Sequence, residues 1–244
     1  MLSYKSITKC GNREINEDSV ICVEQNGNYC FVVADGLGGH GKGEIASQKL
    51  VEVFLKVFET GHTETETFLK MAFDTAQNEI MKAQKAEGTL FDMKTTAVAL
   101  IVIDGKCQWG HVGDSRLYMF YKNKVKMRTL DHSVPQMLVM SREIKERDIA
   151  NHPDRNRLLR VMGIEWDLPK YTLSEEYDID KCQAFLLCSD GFWEFIEENK
   201  MRNFLKKSSS VNQWLEMMFD EVEKNGNERK RDMDNYTAVA IWRK

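Results

Sequence analysis

Residues 29–43 read YCFVVADGLGGHGKG and set the architecture of the chain. An apolar and aromatic run leads directly into Asp35. Because this run is short and rich in β-branched and aromatic residues, it predicts a buried strand rather than a helix. The glycines that follow would each cost roughly 0.5–1 kcal/mol relative to alanine inside a helix or strand, so they suit a loop that turns tightly or approaches a ligand. The stretch predicts a strand that delivers Asp35 to a metal or phosphate site.

The composition bounds the class of protein. With 244 residues, 42% hydrophobic and 30% charged, the chain can bury a full core within one domain. A net charge of −4 argues against bulk nucleic-acid binding. Because no apolar run approaches the roughly 20 residues of a membrane span and residues 1–19 do not resemble a signal peptide, we expect a cytoplasmic protein with no membrane segment.

The six cysteines show no CxxC spacing. Cys30, Cys107 and Cys188 lie in apolar, strand-like segments, which is typical of reduced packing residues in a cytosolic protein. A zinc site built from the cysteines stays open as an alternative.

Periodicity predicts the elements in chain order. The predicted strands cover residues 2–8, 19–23, 29–34, 95–103, 107–112, 117–121, 125–130, 169–174, 183–188 and 236–242. The predicted helices cover residues 44–59, 64–86, 135–140, 141–149 and 210–224, with Ser133 as an N-cap and a solvated loop over 228–231.

The dipeptide Asn26-Gly27 is a strong hairpin signal. It predicts that the second and third strands are antiparallel neighbours, with Asp18 and Asp35 opposite one another at the same end. The hairpin would then bring Glu17 close to both carboxylates.

Acidic residues recur where apolar strands begin or end. A single such residue is usually a turn residue, but here the pattern occurs at Asp18, Asp35, Asp114, Asp190 and Asp234. Carboxylates brought together resist ionisation unless a cation lies between them. Oxygen ligands without a cysteine or histidine cluster favour Mg²⁺ or Mn²⁺ over zinc. Two such ions about 3.5–4 Å apart would lower the pKa of water enough for attack on phosphorus at neutral pH.

Five motifs now carry a family resemblance. In chain order they are Arg13…Asn16-Glu17-Asp18, Asp35-Gly36-x-Gly38-Gly39-His40, Gly113-Asp114-Ser115-Arg116, Ser189-Asp190-Gly191 and Asp234-Asn235. Together they resemble the motifs of the metal-dependent type 2C Ser/Thr protein phosphatases, in a compact bacterial form, over residues 6–241. The resemblance implies an α+β fold, a four-layer α-β-β-α sandwich of two antiparallel sheets flanked by pairs of helices. It also implies a single type 2C domain over 1–244 with a flap-like insertion at about 134–168.

The resemblance implies a metal-ligand set. Asp35 matches the carboxylate that bridges two Mn²⁺ or Mg²⁺ ions, and the Gly36 carbonyl matches the backbone ligand beside it. Glu17 matches a ligand of the second ion, and Asp18 holds metal-bound water. Ligands of the first ion are matched by Asp190 and Asp234.

Further positions follow from the same resemblance. Arg13 matches the phosphate clamp, and Asp114 matches a ligand of a third, weaker ion, with Glu194 as a second candidate ligand. Many eukaryotic members have a histidine directly after Asp-Gly, where this chain has Leu37. His40 in the same loop is a candidate acid for the leaving group, with a structural role or a metal-bound water as alternatives. We expect Ser115 and Arg116 to be structural.

The implied activity is hydrolysis of phosphoserine and phosphothreonine monoesters, by direct attack of a hydroxide held between two metals. The implied partners are phosphorylated proteins, with a Ser/Thr kinase and its targets among them, and we expect a monomer. Two alternatives stay open: a metal-dependent phosphatase of small phosphorylated metabolites, and a catalytically silent regulatory relative.

Overall fold

The computed structural model describes residues 1–38, 42–61, 64–89, 92–229 and 232–243. The strands are β1 (Leu2–Lys9), β2 (Asp18–Gln25), β3 (Asn28–Leu37), β4 (Lys94–Thr95), β5 (Ala97–Ile103), β6 (Lys106–Val112), β7 (Arg116–Tyr121), β8 (Lys124–Arg128), β9 (Thr172–Leu173), β10 (Tyr177–Asp178), β11 (Ala184–Cys188) and β12 (Tyr236–Arg243). The α-helices are α1 (Gly43–Glu59), α2 (Thr65–Glu87), α3 (Val134–Met140), α4 (Asp190–Trp193), α5 (Glu198–Lys207) and α6 (Val211–Arg229). Short 3₁₀ helices cover Glu146–Asn151 and Ile179–Lys181.

The strands form two antiparallel sheets. The first sheet has the order β1-β12-β11-β7-β8, and the second has the order β10-β6-β5-β3-β2, with β4 paired to β3 and β9 paired to β6. The chain crosses between the sheets several times, so the strands that end near one another come from distant parts of the sequence.

Three apolar clusters separate four layers. One cluster packs α1 and α2 against the second sheet, and another packs α5 and α6 against the first sheet. The third lies between the inner faces of the two sheets and includes Phe31, Leu100, Trp109 and Phe185. The predicted α-β-β-α sandwich of two antiparallel sheets is confirmed. Within the described ranges, no helix is long and apolar enough to cross a membrane.

Most predicted elements are confirmed, but two predictions are wrong and two helices were not predicted. The helix predicted over 141–149 is replaced by a turn and a 3₁₀ helix, because Arg142 takes a positive φ of 66° and the Asp148 carboxylate accepts a new capping bond from the Lys145 N–H. The helices α4 and α5 were not predicted. The loop predicted over 228–231 is helical through Arg229, and the rest of that loop lies outside the described residues.

The predicted N-cap of α3 is confirmed, since Ser133 Oγ accepts from the Gln136 N–H at 3.4 Å. After α3 the chain returns to the sandwich through two isolated bridges, Ser133 to Leu158 and Thr95 to Met162. The role of residues 134–168 as a flap stays a prediction, as does the description of residues 1–244 as one domain.

Candidate active site

The β2–β3 hairpin places Asp18 directly opposite Asp35. Asn26 and Gly27 form its turn with φ of 55° and 80°, the positive values that a two-residue hairpin needs. The predicted cross-strand pair is therefore confirmed. Asp18 is buried, and its Oδ2 accepts a hydrogen bond from Ser189 Oγ at 2.8 Å. Its Oδ1 is also buried and has no hydrogen-bond partner.

The backbone of Glu17 lies against the glycine loop. The Glu17 carbonyl accepts from the Gly36 N–H at 3.1 Å and from Ser47 Oγ at 2.6 Å. A Cβ at Gly36 would lie 2.4 Å from the Gly43 carbonyl oxygen, and a Cβ at Gly43 would lie 2.9 Å from Glu17 Oε1. Glycine is required at both positions because three backbone segments meet there, which also brings the Glu17 carboxylate to the end of β3.

Asn235 fixes the chain that leads into β2. Its Oδ1 accepts from the Glu17 N–H at 2.8 Å, and its Nδ2 donates to the carbonyls of Cys10 and Ile15 at 2.8 and 2.9 Å. The Asn235 N–H in turn donates to Asp234 Oδ1 at 2.8 Å. The pair Asp234-Asn235 thereby joins the start of β12 to the segment that carries Glu17.

A second group of hydrogen bonds holds the backbone of Asp35. Its carbonyl accepts from Thr95 Oγ1 at 2.8 Å and from the Thr96 N–H at 2.9 Å. Its N–H donates to Thr96 Oγ1 at 3.2 Å, and that hydroxyl lies 2.7 Å from Ser115 Oγ. Ser115 therefore contributes packing and hydrogen bonds behind the site, in line with the expected structural role.

The acids influence one another's ionisation. The pKa of Asp18 is raised from its ordinary 3.8 to about 7, mainly by burial, with the charges of Asp190 and Asp234 acting in the same direction. Burial, then the charge of Asp190, holds the pKa values of Asp35 and Asp114 well above their usual range. The structure thus brings together the predicted acids at one end of the two sheets, although they come from β2, β3, the turn after β6, and the segments that flank β11 and β12.

These residues fit a divalent cation in their chemistry. The donors are hard oxygens, Asp18 Oδ1 is buried without a partner, and mutual repulsion between the carboxylates would be relieved by positive charge. In the described part of the chain, no group of three or more His, Cys, Asp or Glu side chains is arranged to hold an ion as it stands.

Arg13 lies at the same end of the sandwich. Its Nη2 donates to Asp234 Oδ2 at 2.7 Å, and the two side chains are 59% and 43% exposed. An ion pair this exposed contributes about 0–1 kcal/mol. The guanidinium can therefore exchange its partner for an anionic ligand at little cost.

Arg116 supports the segment that carries Asp114. Its Nε and Nη2 donate to the two carboxylate oxygens of Asp131 at 2.7 and 2.6 Å, and its guanidinium lies 3.4 Å from the centre of a Trp193 ring. The Trp193 Nε1–H donates to the Asp114 carbonyl at 3.0 Å. Arg116 is buried throughout, as a structural residue should be. Glu194, next to Trp193, is buried and lies 3.5 Å from Arg155 Nε.

Comparison with known proteins assigns the family. The model of the protein phosphatase 2C family matches residues 9–235. The chain belongs to the protein phosphatase 2C family. The serine/threonine phosphatase stp of Listeria welshimeri is 31% identical over 237 residues, which cover 95% of this chain and 91% of that protein.

Solved structures share the fold of this type 2C chain. The crystal structure of the serine/threonine phosphatase Stp1 from Staphylococcus aureus matches with a TM-score of 0.87 and 24% identity, over 100% of this chain and 96% of that one. The catalytic domain of the serine threonine protein phosphatase PstP, in complex with 2 manganese ions, matches with a TM-score of 0.82 and 23% identity, over 99% and 97% of the two chains.

The structural roles of two residues of this type 2C chain were not predicted from the sequence. In the motif Asp234-Asn235, the sequence predicts a role for the acid alone, whereas the Asn235 side chain hydrogen-bonds the backbone of Cys10, Ile15 and Glu17. Asp131, the partner of Arg116, sits in a predicted helix start and gave no separate signal. His40, the candidate leaving-group acid, lies outside the described residues.

Proposed function

We propose that this chain is a Mn²⁺- or Mg²⁺-dependent protein phosphatase that hydrolyses phosphoserine and phosphothreonine monoesters. The observation that carries the proposal is the meeting of Asp18 and Asp35 in one strand pair with the acids at the ends of other strands, in a cluster whose pKa values are raised by burial and by one another. Such a cluster is costly to a protein that does not use it. Family membership and the serine/threonine phosphatases among its relatives support the substrate class.

Six residues would hold two cations: Glu17, Asp18, Asp35, the Gly36 carbonyl, Asp190 and Asp234. Bound there, the ions would lower the pKa of water and offset the charge of a phosphoryl group. The manganese complex of PstP, a protein of the same fold, supports two ions. Asp114 and Glu194 are the candidates for a third, and in this structure Glu194 also faces Arg155.

Arg13 would bind the phosphate of the substrate. A guanidinium can donate two parallel hydrogen bonds to phosphate oxygens, which fixes the orientation of the phosphoryl group as well as its charge. Its exposed pair with Asp234 keeps the guanidinium at the edge of the acid cluster until substrate arrives. The leaving alkoxide needs a proton, for which His40 is the candidate side chain.

The substrates would be phosphorylated proteins, including a Ser/Thr kinase and its targets, met by a monomeric enzyme in the cytoplasm. The relatives named serine/threonine phosphatases support phosphorylated proteins as the substrate class.

The proposal is tested with purified protein, Mn²⁺ and two substrates, p-nitrophenyl phosphate and a phosphothreonine peptide. We expect both substrates to be hydrolysed. The activity of Asp35→Asn should be at least about 100-fold lower, because mutation of a residue that merely hydrogen-bonds a metal ligand already costs about 10–100-fold in metal affinity or activity. Circular dichroism should show that this variant is folded.

Equal turnover by wild type and Asp35→Asn would overturn the proposal. Faster turnover of phosphorylated metabolites than of phosphopeptides would assign the chain to small-molecule substrates instead. Calorimetry that detected no Mn²⁺ binding would point to a silent regulatory relative.

A further inference from the structure

Two cysteines meet between the sheets. Cys107 Sγ and Cys182 Sγ lie 3.8 Å apart although the residues are 75 positions apart in the chain. Cys107 is in β6 of the second sheet, and Cys182 precedes β11 of the first sheet. Both side chains are buried in the cluster between the sheets, and both are free thiols.

We propose that Cys107 and Cys182 are an oxidative modification site, at which a hydroperoxide converts the two thiols into a reversible disulfide that joins the two sheets.

The geometry favours a bond between these two sulfurs. A disulfide has an S–S length of about 2.05 Å, so the sulfurs must approach by roughly 1.8 Å, a movement within reach of side-chain rotation and small backbone shifts. The other two fully buried cysteines are placed differently, since Cys30 packs beneath the helices of the second sheet and Cys188 beneath those of the first.

The two thiols differ in acidity, which assigns their roles. The hydrogen bond between the two thiols is the main influence that lowers the pKa of Cys182, and the charge of Arg243 acts in the same direction. The same contact raises the pKa of Cys107 well above its usual range. Because the thiolate is the reactive form, Cys182 is the nucleophile and Cys107 the thiol that resolves the intermediate.

Solvent comes close to the pair even though both sulfurs are covered. A cleft of about 640 Å³ opens at this end of the sandwich, lined in part by Gly105, Ile179 and Arg243. Ile179 and Arg243 both hydrogen-bond the backbone of Cys182, at 3.0 and 3.1 Å. Beside Cys107, the edge of the second sheet is formed by the two-residue strand β10, in which Tyr177 pairs with Cys107. A molecule as small as hydrogen peroxide therefore needs only a local opening of the edge.

The reaction balances in two steps. The Cys182 thiolate attacks one peroxide oxygen, the O–O bond breaks, and the released hydroxide takes a proton, leaving a sulfenic acid and water. The Cys107 sulfur then attacks the sulfenic sulfur, the S–O bond breaks, and the departing hydroxide takes the Cys107 proton. Two thiols and one peroxide give one disulfide and two waters, with the sulfurs oxidised by two electrons and the peroxide oxygens reduced by two.

The location of the cysteine pair predicts how a disulfide would affect the acid cluster. β6 leads to Asp114 and β11 leads to Asp190, and both cysteines lie at the opposite ends of these strands. At about 3.3 Å per residue, the pair is roughly 20 Å from those acids. The disulfide would therefore stabilise the strands that carry part of the acid cluster without entering that cluster.

The test uses the full chain, hydrogen peroxide and mass spectrometry after alkylation. We expect the loss of two alkylatable thiols, a mass lower by two hydrogens, and a linked peptide pair containing Cys107 and Cys182, all reversed by dithiothreitol. The oxidised protein should melt about 5–10 °C higher, because the bond closes a long loop. Cys107→Ser should leave Cys182 to accumulate as sulfenic or sulfinic acid.

Cys22→Ser is the matched control, since Cys22 is also a strand cysteine of the second sheet, and it should keep the cross-link and the rise in melting temperature. The wild-type peptide map needs no variant to fold, so it decides the proposal by itself. Linkage of either cysteine to a different partner would overturn it. Failure of both thiols to react under conditions that oxidise the less buried Cys10 and Cys22 would overturn it equally.

Discussion

Asp18 and Asp35 occupy paired positions in adjacent antiparallel strands, so that two carboxylates face one another across the β2–β3 hairpin. Like charges placed directly opposite one another in a sheet are destabilising. The register is set by the apolar face of β3 and by the turn at Asn26-Gly27, and the sheet therefore imposes the repulsion on the two acids. A bound cation would reverse the sign of this contribution.

The first prediction concerns pH. The folded-state pKa of Asp18 is raised from 3.8 to about 7, so between these values the native protein holds a proton that the unfolded chain has released. The stability that Asp18 contributes to the metal-free protein is therefore complete below about pH 4 and lost as pH rises to about 7. Mn²⁺ binds the deprotonated carboxylates, so its stabilising effect should grow over the same range.

Urea unfolding in EDTA and in Mn²⁺, followed across this pH range, measures both effects. Asp18→Asn is the control, and its stability in EDTA should vary less with pH. The prediction would be contradicted if, in EDTA, the free energy of unfolding changed between pH 4 and 7 by the same amount in the wild type and in Asp18→Asn.

The second prediction concerns Arg13. Arg13→Ala should lower kcat/KM for a phosphothreonine peptide by about 10–100-fold, because it removes charge-assisted hydrogen bonds to the phosphate. Arg13→Lys should recover part of the loss, since it restores the charge without the two-pronged geometry. Both variants should keep wild-type melting temperatures, because the Arg13–Asp234 pair is exposed. Arg202→Ala in α5 removes an exposed arginine elsewhere and should change neither measurement.

The third prediction concerns Asn235. Asn235→Ala leaves the Glu17 N–H and the carbonyls of Cys10 and Ile15 without this partner, and it should cost about 2–4 kcal/mol of unfolding free energy. Because Asn235 positions the Glu17 segment, Mn²⁺ affinity should fall by about 10–100-fold. Calorimetric titration with Mn²⁺ and urea unfolding measure the two losses separately. Unchanged Mn²⁺ affinity in a destabilised variant would show that Asn235 serves the fold alone.

The fourth prediction concerns the buried pair of Arg116 and Asp131. Asp131→Asn leaves the guanidinium without its carboxylate and should destabilise the protein by about 3–5 kcal/mol, since both groups are shielded from water. Glu79→Gln is the matched control, because it removes one partner of the exposed pair with Lys82 and should cost less than about 1 kcal/mol. Similar losses in the two variants would contradict a structural role for the buried pair.

Local patterns were sufficient for much of the fold. Three local patterns predict elements that the structure contains: the apolar run before Asp35, the turn at Asn26-Gly27 and the helical apolar stripe of α1. Each depends on the side-chain spacing or backbone conformation of neighbouring residues only. The prediction failed over 141–149, where a positive φ at Arg142 and a new cap at Lys145 outweigh helix propensity. An α-helix and a turn followed by a 3₁₀ helix are local alternatives of similar energy over these residues, so the surrounding structure decides which one forms.

The candidate site divides in the same way. The sequence is sufficient to predict the residue types of the site and their places at strand ends, because a carboxylate or a glycine next to an apolar run is a local pattern, as at Asp35 and Gly36. The hydrogen-bond partners that hold these residues could not be predicted from the sequence, because they come together only through long-range contacts. Asn235 reaches Glu17 across 218 positions, and Ser189 reaches Asp18 across 171. The chain specifies which groups it carries, whereas the packing of two sheets specifies which of them meet, including Cys107 and Cys182.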